Sequence, residues 1–328
     1  MTNMKKLGLS ALAGSLVAFS ANAAELSVNG GVELTYTDTG GNTGNEVTGN
    51  SYGANSSITM TGSGDVGFGT VSMTRTINDS ANGWGSSFQT LDMGDMGILS
   101  FDSSAGALVG VTANDDLMPT AYEEVSTGVS GKGITGVGST NVIGYRNTFG
   151  MFSVSAGYSQ NGTQTAESAS SGEASHASNE DIYVSVTPMD GLTIGAGHAT
   201  LGGANTSTTS EETQHSVANI VYSTGPVSIG YRQFENNNGT AGTTSRVGDH
   251  YSVAFNVNDN FAISYGVQDT EKEAISSTAG VTEEVTGISA AYTAGAASVR
   301  VNHSKADNDN GVSGVDDETT EVSLVLSF

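Results

Sequence analysis

The 328-residue chain has no cysteine, so it forms no disulfide and offers no thiol for redox or nucleophilic chemistry. Its folding therefore rests on backbone pairing and burial. Basic residues are scarce as well: 10 Lys and Arg stand against 34 Asp and Glu, a formal net charge of −24. That balance excludes nucleic acid as a partner, because no basic face is available to displace counterions from phosphates. It favours cations wherever the charge lines a passage. Beyond Phe19 there is no long hydrophobic run, which excludes membrane-spanning helices of about twenty residues. A chain like this crosses a membrane with strands or not at all. Proline is down to 3 against 45 glycines, and hydrophobic residues make up 36%, below the roughly 45–50% of globular domains. So low a share would suit disorder if the apolar residues were merely diluted. They are spaced instead.

The amino-terminus is the exception to the missing runs. Lys5 and Lys6 precede an apolar stretch from Leu7 to Phe19, and Ser20-Ala21-Asn22-Ala23 follows. This is the pattern of a secretory signal peptide, predicted over residues 1–23, with the mature chain starting at Ala24. The apolar stretch is too short to remain as a bilayer anchor.

At the other end, Val322, Leu324, Leu326 and Phe328 share one face of a strand, and Glu321, Ser323 and Ser327 share the other. A soluble domain seldom ends on an apolar edge strand, because an unpaired edge invites aggregation. A closed barrel removes the edge by pairing the last strand with the first. The same two-residue period runs through the whole mature chain, from Leu26, Val28, Val32, Leu34 and Tyr36 to Val299 and Val301. Short turns, such as Pro188-Met189-Asp190-Gly191 and Thr224-Gly225-Pro226, alternate with much longer loops. The expected fold is all-β: a transmembrane antiparallel β-barrel of sixteen strands over residues 24–328. Short turns would face the periplasm and long loops the exterior. Aromatic residues at strand ends, including Tyr36, Phe149, Phe152 and Tyr158, fit interfacial girdles.

Alternation also assigns charged residues to faces. Arg146, Arg232 and Arg300 take lumen parity on three dispersed strands, and Glu33, Asp92 and Glu321 join them. Arg75 shares parity with Val71, Met73 and Ile77, which aims it at lipid. Either it snorkels from the strand end, or a bulge before it turns it inward and makes it a wall residue of the constriction. Gly62-Ser63-Gly64-Asp65-Val66-Gly67 matches a dinucleotide fingerprint, but a strand follows where a helix is required. Asp307-Asn308-Asp309-Asn310-Gly311 hints at calcium, yet its glycine stands at loop position five, not at the six of an EF-hand. At most it implies weak divalent-cation association; no cofactor is otherwise implied. His176, His198, His215, His250 and His303 show no metal-binding spacing. Asp249 and His250, being adjacent, point to opposite faces and make a poor acid–base pair. No enzymatic activity is expected.

The signal peptide, the hairpin Phe88 to Phe101, the segment Asn141-Val142-Ile143-Gly144-Tyr145-Arg146, the turn Tyr292-Thr293-Ala294-Gly295 and the terminal Phe328 resemble, in this order, the general diffusion porins of Gram-negative outer membranes. The resemblance spans essentially the whole chain. It implies a sixteen-stranded barrel, usually a homotrimer in outer-membrane lipid, with the third extracellular loop folded inward to narrow the pore. It also implies that the terminal aromatic strand, ending at Phe328, is read by the barrel assembly machinery. The insert 103–139 would be that loop, carrying Asp115, Asp116, Glu123, Glu124 and Lys132 around a helix-compatible stretch from Asp116 to Glu124 interrupted by Pro119. In the family, acidic loop residues face basic wall residues, and the opposed charges set a transverse field across the constriction. Here the acidic half is present and the basic half sparse, with no three-arginine ladder on neighbouring early strands. The expected function is passive diffusion of small hydrophilic solutes and ions, with cations preferred. Two alternatives stand beside it: a secreted, acidic, calcium-dependent adhesin, and a non-conducting barrel serving as anchor or receptor.

Overall fold

The computed structural model describes residues 25–42, 49–79, 84–102, 108–111, 113–114, 117–129, 133–137, 142–160, 178–202, 212–238, 245–272 and 280–328. The proposed signal peptide, residues 1–23, lies outside them.

Sixteen strands occur among the described residues. The first five are β1 (Glu25–Gly41), β2 (Tyr52–Asp65), β3 (Thr70–Asn78), β4 (Trp84–Asp92) and β5 (Ile98–Asp102). After the long insert come β6 (Val142–Phe149), β7 (Phe152–Gln160), β8 (Ser178–Met189) and β9 (Leu192–Leu201). Then follow β10 (Thr213–Thr224), β11 (Val227–Asn238), β12 (Arg246–Asn258) and β13 (Phe261–Lys272). The last are β14 (Glu283–Ala294), β15 (Ala297–Asp307) and β16 (Asp317–Ser327). Each pairs antiparallel with its sequence neighbours, and β1 pairs with β16 from Gly31↔Ser327 to Gly41↔Asp317, closing the barrel. The seam extends one residue further, where Gly30 and Phe328 exchange backbone N–H···O bonds of 2.9 Å in both directions. No backbone edge remains to recruit another strand.

The side-chain period decides what each face meets. Leu26, Val28, Leu34, Met73, Ile143 and Ile288 all lie on the outer face and are largely exposed, as a lipid-facing wall requires. Two aromatic bands flank that wall. Phe149, Phe152, Tyr292 and Phe328 stand at the short-turn end, while Tyr36, Tyr52 and Tyr158 stand toward the loop end. The turns are tight because glycine takes positive φ where they reverse, at Gly191 (77°) and Gly225 (53°).

The packed apolar core lies inside the barrel, between the wall and the insert that follows β5, here called loop 3. One cluster joins Val111 and Ile134 of the loop to Tyr183, Ala199, Val217 and Phe234 of the wall. A second joins Val109 and Val137 to Val142, and a third joins Val125 to Val285 and Ala306. A buried valine contributes roughly 1.5–3 kcal/mol, so the loop is fastened by ordinary core packing. The wall makes room with glycines at lumen-facing positions. A side chain at Gly287 would come within 2.7 Å of the Val125 backbone, and one at Gly197 within 2.9 Å of Val111. The stretch from Asp116 to Glu124, helix-compatible but for Pro119, forms no helix over the described residues 117–124, which are bends and irregular chain. Pro119 cannot supply the N–H of a helix interior, and it lies against Gly230 of β11 instead.

Candidate pore site

Loop 3 is bound to the wall at both shoulders and at its tip. At the shoulders, Asp181 of β8 accepts the backbone N–H groups of Val111 and Val137 through one oxygen, each at 3.1 Å. Gly110 N–H donates to Ser155 Oγ at 2.7 Å. Thr135 N–H donates to His215 Nδ1 at 2.7 Å, which fixes that nitrogen as the unprotonated acceptor. Gly110 has φ of +67° and packs on the Asp181 carboxylate, leaving no room for a Cβ.

At the tip, Ala121 N–H donates to Ser264 Oγ (2.9 Å) and Tyr122 N–H to Ser289 Oγ (3.2 Å). The Tyr122 phenol donates to Glu321 Oε1 at 2.7 Å. Burial first, then this hydrogen bond, raises its pKa well above the usual tyrosine value. The Arg300 guanidinium sits 4.3 Å from the Tyr122 ring centroid and donates to Glu33 Oε1 at 2.7 Å. Ser323 bridges the pair, accepting from Arg300 at 3.2 Å and donating to Glu33 at 2.7 Å. The tip thus rests on β13, β14, β15 and β16, with Glu33 of β1 held behind Arg300.

Among the charges predicted for the lumen, Glu124 of the loop stands 3.8 Å from Arg232 of β11, whose side chain is only 3% exposed. Arg232 also donates to Gln268 Oε1 (3.4 Å) and lies 5.6 Å from the Phe234 ring centroid. Glu123 accepts from Thr127 Oγ1 within the loop, at 3.1 Å. Arg146 donates to the Leu108 carbonyl at 3.2 Å, and with Asp92 and Asp95 it lines a cavity of about 810 Å³ on the short-turn side of the loop. Asp115, Asp116 and Lys132 lie outside the described residues. Among the described residues, the loop carboxylate set against a wall arginine, Glu124 on Arg232, meets it in near contact and not across a water gap.

Arg75 requires a correction. Register irregularity does occur in β3, but between Arg75 and Ile77 on the β4 side, after the arginine and not before it. On the β2 side the register is unbroken, with Arg75 opposite Met60 and Ile77 opposite Ile58. Arg75 therefore keeps the outward parity of Val71 and Met73 and is no wall residue of the constriction. Its Nη2 donates to Ser87 Oγ at 3.1 Å. It stands three residues from the loop end of β3, where an outward cation costs about 0–1 kcal/mol rather than the midplane 2–4.

The acidic run after β15 is divided between surroundings. Asp307 takes Lys305 Nζ at 2.6 Å, while Asp309 is buried. Among the described residues no group of three His, Asp or Glu is placed to hold a metal. Asp249 and His250 part as expected: Asp249 accepts from Tyr231 (2.6 Å) on the outer face, and His250 is buried on the inner one.

Asp181, His215 and Tyr122 escaped the sequence reading. Parity tells which face a residue takes, and a lone carboxylate or imidazole on a polar lumen face carries no further signal. The glycines at lumen positions in mid-strand were the legible sign that something packs there.

The model of the Gram-negative porin family matches residues 8–247. No curated protein sequence matches the chain. Among solved structures, an OmpF of Salmonella typhi in complex with daunomycin superposes with a TM-score of 0.67 at 12% identity, covering 94% of this chain and 99% of that one. The trimer form of OmpT, an outer membrane protein of Vibrio cholerae, gives 0.65 at 14%, covering 93% and 99%. The outer membrane channel DcaP of Acinetobacter baumannii gives 0.64 at 11%, covering 93% and 97%. At such identities the likeness speaks for the fold. With a family match over well over half its length, on a closed sixteen-stranded barrel with a loop seated inside, the chain belongs to the Gram-negative porins and is an outer-membrane channel for small solutes.

Proposed function

We propose that the channel prefers cations and that loop 3, residues 103–139, sets its narrowest section. The observation that carries this reading is the local neutralisation of the wall arginines, Arg232 by Glu124 and Arg300 by Glu33. With Arg232 and Arg300 each held against a carboxylate and Arg146 set beside Asp92 and Asp95, the acidic excess of the chain, a net charge of −24, stands, and a negative bore enriches cations. The trimer form of the Vibrio cholerae protein, on the same fold, supports a homotrimer here. Residues 1–23 would direct export, and Phe328 would serve as the terminal signal for barrel assembly. A passive pore needs no cofactor; any divalent cation at the loop after β15 would be held weakly, by net charge.

The test is the reversal potential of the purified protein in a planar bilayer under a KCl gradient. It should shift toward the cation's equilibrium potential. Neutralising Asp115, Asp116, Glu123 and Glu124 together should reduce that shift, since Arg232 would then stand uncompensated. An unchanged potential would remove the constriction from this loop.

A further inference from the structure

Loop 3 covers the wall from β6 round to β16 in its described contacts, and the inner face of β2, β3 and β4 lies outside that cover. The uncovered wall is built from hydroxyls. Thr59 and Thr76 are hydrogen-bonded at 2.9 Å, Thr61 and Thr74 at 3.1 Å, and Ser72 and Thr90 at 2.6 Å. The register makes these pairs cross-strand neighbours, with Thr59 opposite Thr76, Thr61 opposite Thr74 and Ser72 opposite Thr90. All six are half-buried, so each pair is presented to the bore and not sealed. The opposite face of the same strands carries Ile58, Val71 and Met73, which confirms the orientation. Phe88 shares the hydroxyl face, two residues from Thr90 and opposite Thr74.

We propose that this wall is a permeation track for uncharged polyhydroxylated solutes, that is, small sugars and polyols. The inference deepens the channel reading and rests on it. A hydroxyl has one donor hydrogen and two acceptor lone pairs, so a hydroxyl bonded to its neighbour still has capacity left. A sugar hydroxyl has the same dual character and can exchange water for wall without an unpaired group. Donor-only arginine or acceptor-only carboxylate would satisfy half of it and would hold ions instead. Neighbouring hydroxyls polarise one another, which strengthens the outer bond each pair makes. The Phe88 ring adds an apolar surface beside the pairs, suited to the C–H face of a sugar ring. Selection by pore-lining donors and acceptors is the general mechanism for neutral solutes.

The test uses the full mature protein, reconstituted in liposomes for swelling and in planar bilayers for KCl current. Wild type should admit glucose about threefold or more faster than a polyethylene glycol dimethyl ether of equal radius, whose ether oxygens only accept hydrogen bonds. Replacing Thr59, Thr61, Thr74 and Thr76 together by valine keeps shape and strand propensity but removes the hydroxyls. That variant should bring the two solutes to equal rates while KCl conductance and reversal potential hold; the matching serine variant should restore the difference. Equal rates in wild type overturn the proposal, as does a parallel fall of sugar and KCl flux in the valine variant. If the fourfold variant fails to assemble, the wild-type ratio and the single substitution Thr74→Val decide by the same criteria. A wild type that carries no current would overturn the channel reading itself, whereas a conducting pore indifferent to hydroxyls overturns this proposal alone.

Discussion

Asp181 does more for the pore than its single charge suggests. Its carboxylate gathers two backbone donors from the two shoulders of loop 3, residues that are far apart along the loop but adjacent in space. Asp181→Ala would leave both N–H groups buried without that acceptor, at about 1–3 kcal/mol each. The barrel's strand pairing does not depend on either bond. The expected outcome is a protein with unchanged heat-modifiable gel mobility but noisier, larger single-channel currents; quiet currents of wild-type size would refute the shoulder role. Tyr122 allows a prediction in pH. Its folded pKa is raised, so its donation to Glu321 is fully present below the ordinary tyrosine value of about 10 and is lost only above it. The difference between ultraviolet titrations of wild type and Tyr122→Phe should show one phenol ionising later than the rest. A difference curve centred on the ordinary value would mean that the tip does not hold Tyr122 as described.

At the scale of elements, loop 3 and the strands under it are cut to fit each other. The wall beneath the tip is glycine at Gly230, Gly266 and Gly287, and the loop answers with Met118, Pro119 and Val125. Gly287→Leu would drive a side chain into the Val125 backbone while adding an apolar residue that a strand tolerates. The tip should lift from β14, and single-channel conductance should change in that variant; Ser289→Ala, which deletes one acceptor of the Tyr122 N–H, should have a smaller effect. If the leucine variant conducts like wild type, the glycine trough is not what seats the loop. Much of this was legible in the residues. The spacing of Tyr251, Val253 and Phe255, then Phe261, Ile263 and Tyr265, gave strand, turn and strand, because a half-buried sheet imposes its period directly on the sequence. Boundaries were less so: β2 begins at Tyr52 and β4 at Trp84, where the ladder continues through residues that carry no two-residue apolar period. Arg75 could be given a face, but not relieved of it by a bulge that lies beyond it. The pairing of Glu124 with Arg232 was out of reach. It depends on how a long loop is draped over a wall, and no local period encodes that.

Across the whole molecule, the proposed cation preference has two physical sources to choose between, and they respond differently to salt. One is the spread of 34 acidic against 10 basic residues over a chain of net charge −24. The other is a short-range arrangement of charges at one narrow section. A distributed charge acts through water and is screened, with a Debye length of about 10 Å at 0.1 M and about 3 Å at 1 M. Contact pairs such as Arg300 with Glu33, at 2.7 Å, and Arg232 with Glu124, at 3.8 Å, lie inside or near even the shorter length. They are already neutral as pairs, so they contribute little field of their own for salt to remove. The distributed charge must therefore carry the preference, and the preference must fade with ionic strength. Reversal potentials measured across a fixed tenfold KCl ratio should shift strongly toward the cation when the mean concentration is near 0.1 M and much less near 1 M. A shift that persists undiminished at the higher salt would place selectivity at a fixed, close-range site. It would then direct attention to the acidic residues of loop 3, which the proposed function sets at the narrow section.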